Sequence, residues 1–403
     1  MKKYLWLGRL ICPFHLLAQL RSRRRETLRE RWRPRFGLSP ERPRVWIHTL
    51  SVGELQAAGV LLEGLASAFP QYQPVLTVAT VSGLKRAREL WGERFPVYPG
   101  PLQCPWVLER YLSAISPRIF LLVESDLWPH WLGMLRARGV SLIFANAALS
   151  ERSFRRFRRF RFLARWFYEP FSLILAASEE DRRRIAALAS GPQVLYLGNL
   201  KYDFPPPDQG EIERLAQSLG PFLSPPVLVC GSTHPGEEEI LLRAFARLGR
   251  GTLVLCPRRP ERAREILERA RAMGFSAALR SRPEAASVIV VDTLGELRAL
   301  YGLSDLAFVG GTLVPVGGHN LLEPAALKVP VTFGPEVESV ASVARELREA
   351  GGGLCVPPHP EEVASAWERM LSASERHGQA AFSVYERHRG AAKRYLSVLS
   401  HYL

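Results

Sequence analysis

The sequence predicts an α/β protein built from two doubly wound domains, each a parallel sheet between layers of helices. Short apolar runs alternate with amphipathic stretches along most of the chain, which is the pattern of repeated βα units. Three successive prolines interrupt this alternation near the middle of the chain. A length of 403 residues is sufficient for two hydrophobic cores of ordinary size.

The first 44 residues are apolar and then strongly basic. Tyr4–Leu20 is mostly apolar but shorter than the ~20 residues of a comfortable membrane span, and no small-residue cleavage site follows it. Residues 1–44 contain 13 Lys and Arg against 3 Glu, which is much of the net charge of +15. This combination is typical of an interfacial anchor whose arginines face anionic headgroups on the cytoplasmic side, and a single membrane span is the alternative.

The first domain is predicted over residues 45–203. Its helices are expected at 51–69, 82–91, 131–138 and 153–168. The predicted strands alternate with these helices and are Val45–Leu50, Val75–Ala79, Arg118–Val123, Ser141–Ala145, Leu173–Ala177 and Val194–Leu197.

A stiff linker at residues 204–208 separates this domain from a second one at 209–403. Helices are expected at 360–372 and 379–399, and the last helix is expected to pack back on the first domain. Two such domains predict a cleft between the carboxyl ends of their sheets. The predicted strands of the second domain are Val227–Cys230, Thr252–Cys256, Val288–Val291, Asp305–Val309 and Val329–Phe333.

The most informative turn follows the fourth of these strands. It contains the pairs Gly310–Gly311 and Gly317–Gly318, after which we expect His319 and Asn320 to open a helix. A glycine-rich turn before a helix N-terminus presents backbone N–H groups and a positive dipole end to an anion. The turn is neither GxGxxG nor a Walker loop, which favours a nucleotide-linked ligand other than a dinucleotide or ATP.

The helix after this turn is predicted to continue to Leu327. Glu323 lies in its first turn, where a carboxylate is favoured by the dipole and is placed to reach a ribose hydroxyl pair. A plain βα turn with a capped helix is the alternative interpretation.

Polar clusters also follow strands of the first domain. Glu54 lies at a predicted helix N-terminus, where an ionised carboxylate is a reasonable general base for an alcohol, or merely a partner of the helix dipole. Glu124 and Asp126 have a weak metal-diad spacing without a third ligand. We therefore expect Glu124 to bind substrate or support the site by hydrogen bonding, and we expect no metal.

Three further polar turns lie at strand ends of the second domain. Ser232 and Thr233 suit a phosphate, and Arg258 is placed to pair with a phosphate or to stack on a base. The third turn is residues 292–297. Polar turns at successive strand ends of one domain together favour a ligand site there.

The predicted helix at 153–168 interleaves arginines with aromatic residues, and residues 151–168 contain 7 Arg against 1 Glu. This pattern is also found in nucleic-acid-binding proteins, but no nucleic-acid motif accompanies it. Contact with lipid headgroups or with an anionic lipid substrate is the preferred interpretation, and a solvated helix face is the alternative.

The five cysteines are odd in number and widely scattered, without CxxC spacing. We expect buried thiols in a reducing compartment.

Eight motifs in this order resemble the 3-deoxy-D-manno-octulosonic acid (Kdo) transferase family of membrane-associated glycosyltransferases with the GT-B fold. The resemblance covers almost the whole chain. The motifs are SVGE (51–54), ESDLWP (124–129), NAALSERS (146–153), GNLKYD (198–203), GSTHPGEE (231–238), PRRPER (257–262), DTLGEL (292–297) and VGGHNLLEPAAL (316–327).

The resemblance implies inverting, metal-independent transfer of Kdo from CMP-Kdo to a lipid A precursor in lipopolysaccharide synthesis at the inner membrane, with no cofactor. It assigns the catalytic base to Glu54 and its acidic partner to Glu124. The residues it implies for the CMP-sugar are Lys201, Ser232, Thr233, Arg258, Leu294, Gly295, Glu296, Gly318, His319, Asn320 and Glu323. The residues expected at the membrane or the lipid acceptor are Arg155, Arg156, Arg158 and Arg159.

Ala148, Ala177, Arg259 and Glu336 depart from the family pattern and bear on acceptor and donor selectivity. Two other functions stay open at this point. One is a different nucleotide-sugar enzyme on the same fold, either a UDP-sugar transferase or a UDP-sugar 2-epimerase. The other is a basic nucleic-acid-binding protein without catalysis.

Overall fold

The computed structural model describes residues 10, 12–14, 17, 27–32, 34–38, 41–124 and 128–403. Most of the predicted N-terminal anchor, and residues 125–127 of the ESDLWP motif, lie outside these ranges. Within them, the model contains no helix with the length and apolar character needed to cross a bilayer. The described chain forms two compact units, residues 1–203 with 390–403 and residues 204–389.

The first unit contains a seven-stranded parallel sheet with the order β3-β2-β1-β4-β5-β6-β7. The apolar runs of the sequence form these strands, and both faces of the sheet are covered, as expected for parallel strands. Consecutive residues of β1 illustrate this, because Trp46 and Ile47 point to opposite faces and are buried in different core clusters. The strands are β1 (Arg44–Thr49), β2 (Gln73–Val78), β3 (Val97–Pro99), β4 (Pro117–Val123), β5 (Ser141–Ala147), β6 (Leu173–Ala176) and β7 (Gln193–Tyr196).

The chain order of the strands reverses between β1 and β4, which is the topological switch point where doubly wound sheets bind ligands. Helices cover the sheet of the first unit on both sides. They are α1 (Leu28–Trp32), α2 (Leu55–Ala68), α3 (Val81–Trp91), α4 (Pro105–Ile115), α5 (Pro129–Ala137), α6 (Glu151–Arg159), α7 (Arg161–Tyr168) and α8 (Glu179–Ala186).

The second unit has a parallel sheet of the same size with the order β10-β11-β9-β8-β12-β13-β14, and its switch point lies between β8 and β12. The strands are β8 (Val227–Thr233), β9 (Thr252–Pro257), β10 (Ala277–Leu279), β11 (Val288–Val290), β12 (Leu306–Val309), β13 (Val331–Phe333) and β14 (Gly353–Cys355).

The helices that follow the linker are α9 (Gln209–Leu219), α10 (Glu237–Leu248), α11 (Ala263–Ala272), α12 (Leu297–Tyr301), α13 (Leu322–Ala325), α14 (Ala341–Ala350), α15 (Pro360–Leu371), α16 (Ser374–His388) and α17 (Ala391–Leu399). The last of these, α17, belongs to the first unit and packs on α2.

Two predicted helices are each divided in the structure. The helix expected at 153–168 breaks at Phe160, whose φ of −122° and ψ of 62° are not helical. The helix expected at 379–399 breaks at Gly390, which has a φ of 77°. Asp203 caps the following helix by accepting the N–H groups of Gly390 (2.8 Å) and Ala392 (2.6 Å).

The sequence did not predict the strands β3, β10 and β14, each of three residues at or near a sheet edge. Runs this short are too brief to show a periodicity that separates them from turns.

The cysteine prediction is wrong for two of the five residues, because Cys12 and Cys104 form a disulfide. Their separation of 92 residues carries no spacing pattern from which this pairing follows. Cys230 and Cys256 are buried free thiols, as expected, and Cys355 is partly buried.

The expectation that the N-terminal arginines face headgroups is wrong for Arg31 on α1. Its side chain is buried and donates to the carbonyl oxygens of Ala79 (2.6 Å) and Gly100 (3.1 Å), which follow β2 and β3. Trp32 and Phe36 pack on the core of the first unit nearby. This part of the basic segment is therefore part of the folded unit.

Candidate active site

Glu54 lies just beyond β1 at the switch point of the first unit. Residues Val52–Glu54 form a single 3₁₀ turn that leads into α2. The carboxylate is only 7% exposed, and its Oε2 accepts hydrogen bonds from the Thr49 hydroxyl (2.7 Å) and the Leu50 N–H (2.5 Å). These two bonds orient the carboxylate from the end of its own strand.

Glu124 follows β4, on the other side of the same switch point. Its backbone is left-handed, with a φ of 64°. Its carboxylate oxygens accept from Lys201 Nζ (2.6 Å) and from Asn146 Nδ2 (3.0 Å). Burial raises the pKa of Glu124, the Lys201 ammonium and the Asn146 amide oppose that rise, and the negative charge of Glu54 adds to it.

Two asparagines that the sequence did not assign connect this cluster. Asn146 at the end of β5 donates to Asn199 Oδ1 (3.1 Å) and accepts from the Leu200 N–H (3.0 Å). Asn199 Oδ1 also accepts from the Lys201 N–H (2.9 Å). Both asparagines lie in motifs quoted above, and an amide near the carboxyl end of a predicted strand was the available signal.

Lys201 was expected at the nucleotide donor, but the structure brings it to Glu124 in the first unit. The first unit thus assembles a polar cluster at the carboxyl ends of its strands, made of Glu54, Glu124, Asn146, Asn199 and Lys201. Two carboxylates and one ammonium in a largely buried setting are suited to proton transfer from an alcohol.

The candidate site of the second unit begins at the last residues of β8, Ser232 and Thr233, and continues into the loop after them. Ser232 is partly exposed and has a φ of 55°. The Thr233 side chain is buried, and its hydroxyl donates to Glu238 Oε1 (3.0 Å), which also accepts from Arg262 (2.7 Å). Thr233 therefore holds this loop in place instead of presenting its hydroxyl to solvent.

His319 packs against His234 from the β8 loop. The two rings are nearly parallel, with centroids 5.2 Å apart, and their Nε2 atoms lie 2.9 Å apart. Burial, together with the positive charges of His234 and Arg258, lowers the pKa of His319 to about 4. His319 is thus neutral at physiological pH.

The helix predicted from His319 to Leu327 is shorter than expected, since α13 covers only Leu322–Ala325. Asn320 precedes it, and its side chain accepts from the Leu322 N–H (3.1 Å). Gly317 and Gly318 both have positive φ values, of 98° and 86°. One helical turn has little macrodipole, so an anion here would rely on the N–H groups of the glycine turn.

Glu323 is the carboxylate of this loop that the sequence associated with ribose. It is partly buried and accepts no hydrogen bond from the residues that the structure describes. Burial raises its pKa to about 7, although the positive charges of Arg298 and Arg258 oppose the rise. A carboxylate in this state is suited to accept hydrogen bonds from ligand hydroxyls.

The remaining predicted donor residues lie on loops of the same unit. The Arg258 side chain is exposed, and its effect on His319 and Glu323 places it near both. Leu294 is 84% exposed, and Gly295 has a φ of 88°. Glu296 is already paired with Arg280 (2.9 Å) and with the Thr293 hydroxyl, so its carboxylate also orders the loop.

The helices α6 and α7 present the predicted basic surface. Arg155, Arg156, Arg158 and Arg159 are all exposed. Phe154 and Phe157 face the other way and pack on the core, whereas Phe162 is 64% exposed. Among the residues that the structure describes, no three His, Cys, Asp or Glu side chains are grouped as metal ligands would be, and Asp126 is not among them.

A family profile described as 3-Deoxy-D-manno-octulosonic-acid transferase (kdotransferase) matches residues 30–204. The 3-deoxy-D-manno-octulosonic acid transferase of Haemophilus influenzae is 33% identical over 98% of this chain and 95% of its own length. The chain belongs to the Kdo transferase family. Enzymes of the same name from Chlamydophila psittaci (31% identical, 80% of this chain and 79% of that one) and Aquifex aeolicus (28%, 86% and 91%) agree with this.

As a member of the Kdo transferase family, the protein is a glycosyltransferase. Membership argues against a UDP-sugar enzyme and against a nucleic-acid-binding protein without catalysis. Solved structures support the predicted fold. Anabaena HepE in complex with UDP has a TM-score of 0.61 at 13% identity, covering 89% of this chain and 99% of that one. The UDP-GlcNAc 2-epimerase of Neisseria meningitidis has the same TM-score at 12% identity, covering 89% and 100%.

Proposed function

We propose that this enzyme transfers Kdo from CMP-Kdo to a sugar hydroxyl of a lipid A precursor in lipopolysaccharide synthesis. Relatives that cover 80% to 98% of this chain are named 3-deoxy-D-manno-octulosonic acid transferases. The observation that carries the site assignment is topological. In each unit, predicted site residues lie at the ends of the two strands that flank the switch point, Glu54 and Glu124 in the first unit and Ser232 and His319 in the second. Arg258 and residues 294–296 follow the neighbouring strands β9 and β11.

The acceptor reacts at the polar cluster of the first unit in this proposal. Glu54 removes the proton from the acceptor hydroxyl while that oxygen attacks the ketosidic carbon and the bond to the CMP phosphate breaks. The hydrogen bonds from Thr49 and Leu50 orient Glu54 for this transfer. Glu124 and Lys201 form an ion pair beside it that accommodates a change in charge when Glu54 gains the proton.

The CMP moiety binds to the second unit. The backbone N–H groups of His319 and Asn320 donate to no acceptor in the described part of the chain, so they are suited to the phosphate. Arg258 adds a positive charge to the leaving phosphate. Glu323 accepts hydrogen bonds from the ribose hydroxyls. These hydroxyls are the donors that Glu323 does not find among the described residues of the protein. No metal takes part in the proposed reaction.

The enzyme works at the cytoplasmic face of the inner membrane in this proposal. The N-terminal segment anchors it, and the exposed arginines of α6 and α7 contact anionic headgroups and the lipid acceptor. Charge complementarity supports this location, since residues 151–168 have 7 Arg against 1 Glu. The exposed Phe162 adds an apolar side chain to the same basic surface.

The deciding experiment is transfer from CMP-Kdo, generated in situ because it is labile, to a tetraacylated lipid A precursor, with the product mass as the readout. We expect a mass gain of one or more Kdo units, and the mass also reports how many are added. Folded protein that CMP stabilises but that forms no product would overturn the donor sugar or the acceptor. Ala148 and Glu336 would then be examined first.

A further inference from the structure

Glu237, the first residue of α10, is a fully buried carboxylate that no step of the proposed reaction uses. It accepts four backbone hydrogen bonds. Oε2 accepts from the N–H groups of His234 and Gly311, both at 2.8 Å. Oε1 accepts from those of Thr312 (3.0 Å) and Leu313 (2.9 Å). Both oxygens are thus engaged by N–H groups that converge on a negative charge.

Glu237 accepts hydrogen bonds from more N–H groups, and from more distant ones in the chain, than an ordinary helix cap does. A cap satisfies N–H groups next to its own helix, as Glu237 does for His234. The other three donors lie 74 to 76 residues away in the chain, in the loop after β12. Glu237 therefore joins the loops that follow β8 and β12, the two strands at the switch point of the second unit.

The loops approach so closely at this point that a side chain at Gly310 has no room. A Cβ atom there would lie 2.6 Å from the Ser232 carbonyl oxygen and 2.9 Å from Glu237 Oε2. The Gly310 N–H donates to the Gly231 carbonyl oxygen (2.8 Å), which joins the loops a second time. The glycine pair at 310–311 thus serves the internal carboxylate.

His234 connects Glu237 to His319, one of the residues assigned to the nucleotide. His234, whose N–H donates to Glu237, meets His319 with the Nε2 atoms 2.9 Å apart. A Cβ atom on Gly311 would lie 3.0 Å from His319 Cδ2, so this backbone also supports the His319 ring. The position of His319, and of the glycine turn before it, depends on where Glu237 holds both loops.

We propose that Glu237 is a positioning residue for nucleotide binding. It acts as an internal anion that occupies the N–H groups of residues 311–313, so that the phosphate is directed to the second glycine turn at 317–320. This inference rests on the proposed donor site. It predicts that the charge of Glu237 determines nucleotide affinity although its side chain does not contact the ligand.

The test is E237Q, with E239Q as the matched control. Glutamine keeps the shape of Glu237 but replaces one acceptor oxygen with an NH₂ group that faces N–H donors. Glu239 lies on the same turn of α10, and its side chain, 40% exposed, pairs with Arg243 and Arg269. We expect E237Q to weaken CMP binding and to raise KM for CMP-Kdo, each at least tenfold, with vesicle binding unchanged and E239Q like the wild type.

Calorimetry measures the affinity for CMP at a temperature where circular dichroism shows E237Q to be fully folded. A loss of stability alone then does not alter the measured affinity. Hydrogen–deuterium exchange of residues 311–313 reports the freed N–H groups without any nucleotide. Folded E237Q that binds CMP as tightly as the wild type would overturn the proposal. Loss of CMP binding by wild type and E239Q as well would instead overturn the proposed donor site.

If E237Q does not fold, G311A takes its place. Gly311 has a φ of 69°, and a Cβ atom there presses on His319, so the same loop is displaced from its other end. We expect the same tenfold loss of CMP affinity. Folded G311A with wild-type affinity would show that nucleotide binding does not depend on this loop position and would also overturn the proposal.

Discussion

In the first unit, both carboxylates at the switch point already have partners in the protein, whereas Glu323, the proposed ribose ligand of the second unit, accepts no hydrogen bond from the described residues. Glu54 accepts from Thr49 and Leu50, and Glu124 pairs with Lys201. Glu323 is left with a pKa raised to about 7 by burial. In the proposed reaction, the site of the first unit is therefore assembled before substrate binds. The site of the second unit is completed by the ligand.

Glu237 and Glu238 are two further carboxylates of the second unit, both buried and both already accepting hydrogen bonds within the protein. No step of the proposed reaction uses either of them. In this unit, a buried carboxylate whose oxygens have partners therefore has a structural role, and Glu323 is the candidate to bind a ligand.

E54Q has the largest expected effect, because it removes the proposed base and leaves the second unit untouched. We expect kcat to fall by roughly 10²- to 10⁴-fold, the usual contribution of general base catalysis. Thermal stabilisation by CMP should equal that of the wild type. The measurement is product formation with saturating acceptor, and a near wild-type kcat would contradict the assignment.

Replacing Arg155, Arg156, Arg158 and Arg159 with Gln tests the basic surface of the first unit. Each arginine near an anionic bilayer contributes about 1 kcal/mol, so the loss of all four should weaken binding to vesicles with anionic lipid roughly thousandfold at low salt. KM for the lipid acceptor should rise while the affinity for CMP stays the same.

The matched control for that variant removes four exposed arginines of the second unit, Arg243, Arg247, Arg264 and Arg269. It makes the same change in net charge away from α6 and α7. Equal loss of vesicle binding in both variants would mean that total charge, not this surface, governs attachment.

K201M tests whether the ion pair with Glu124 is part of the assembled site. Lys201 opposes the rise in the pKa of Glu124 that burial causes, so its removal raises that pKa further. The ionised form is then lost at a higher pH, and the acidic limb of the kcat profile should move upward. We expect roughly thirtyfold lower kcat, from the loss of one charge-assisted hydrogen bond.

If Lys201 instead contacts the donor, as the family resemblance implies, K201M will mainly weaken CMP binding and leave the pH profile in place. Calorimetry with CMP, run beside the pH–rate profile, separates these outcomes.

E323Q has the smallest expected effect on turnover and the clearest pH signature. With a pKa of about 7, Glu323 is mostly protonated at pH 6 and mostly ionised at pH 8, so its acceptor strength rises with pH. We expect wild-type affinity for CMP to increase roughly tenfold over this range, in step with the ionised fraction. The phosphate of CMP also titrates near pH 6 and contributes its own pH dependence to the affinity. The contribution of Glu323 is the portion of the pH dependence that disappears in E323Q.

The same substitution should stabilise the free protein at high pH. The folded pKa of Glu323 lies above its unfolded value of 4.5, so the folded state binds more protons between pH 4.5 and about 7 and loses stability as the pH rises through that window. Glutamine does not titrate, so the stability of E323Q does not fall in this way as the pH rises. We expect it to be about 1–3 kcal/mol more stable than the wild type at pH 8 and equal to it below pH 4.5. Urea titration at both pH values measures this.

Most of the regular structure was predictable from the residues. The apolar runs form parallel strands near their predicted limits, since a strand that is buried on both faces has little freedom in composition. The exceptions are local. β3, β10 and β14 are too short to show a period, and Gly390 ends a helix that the sequence predicts to be continuous.

The chain by itself determined which residue types end each strand at the switch points, and therefore Glu54, Glu124 and the glycine turns as candidates. Only the tertiary structure decided which of these groups meet. Lys201 and Glu124 are 77 residues apart, and Glu237 and Leu313 are 76 apart. Hydrogen bonds over such separations depend on strand order and loop position, which one local pattern does not encode. The burial that raises the pKa of Glu323 likewise exists only after the surrounding loops have packed.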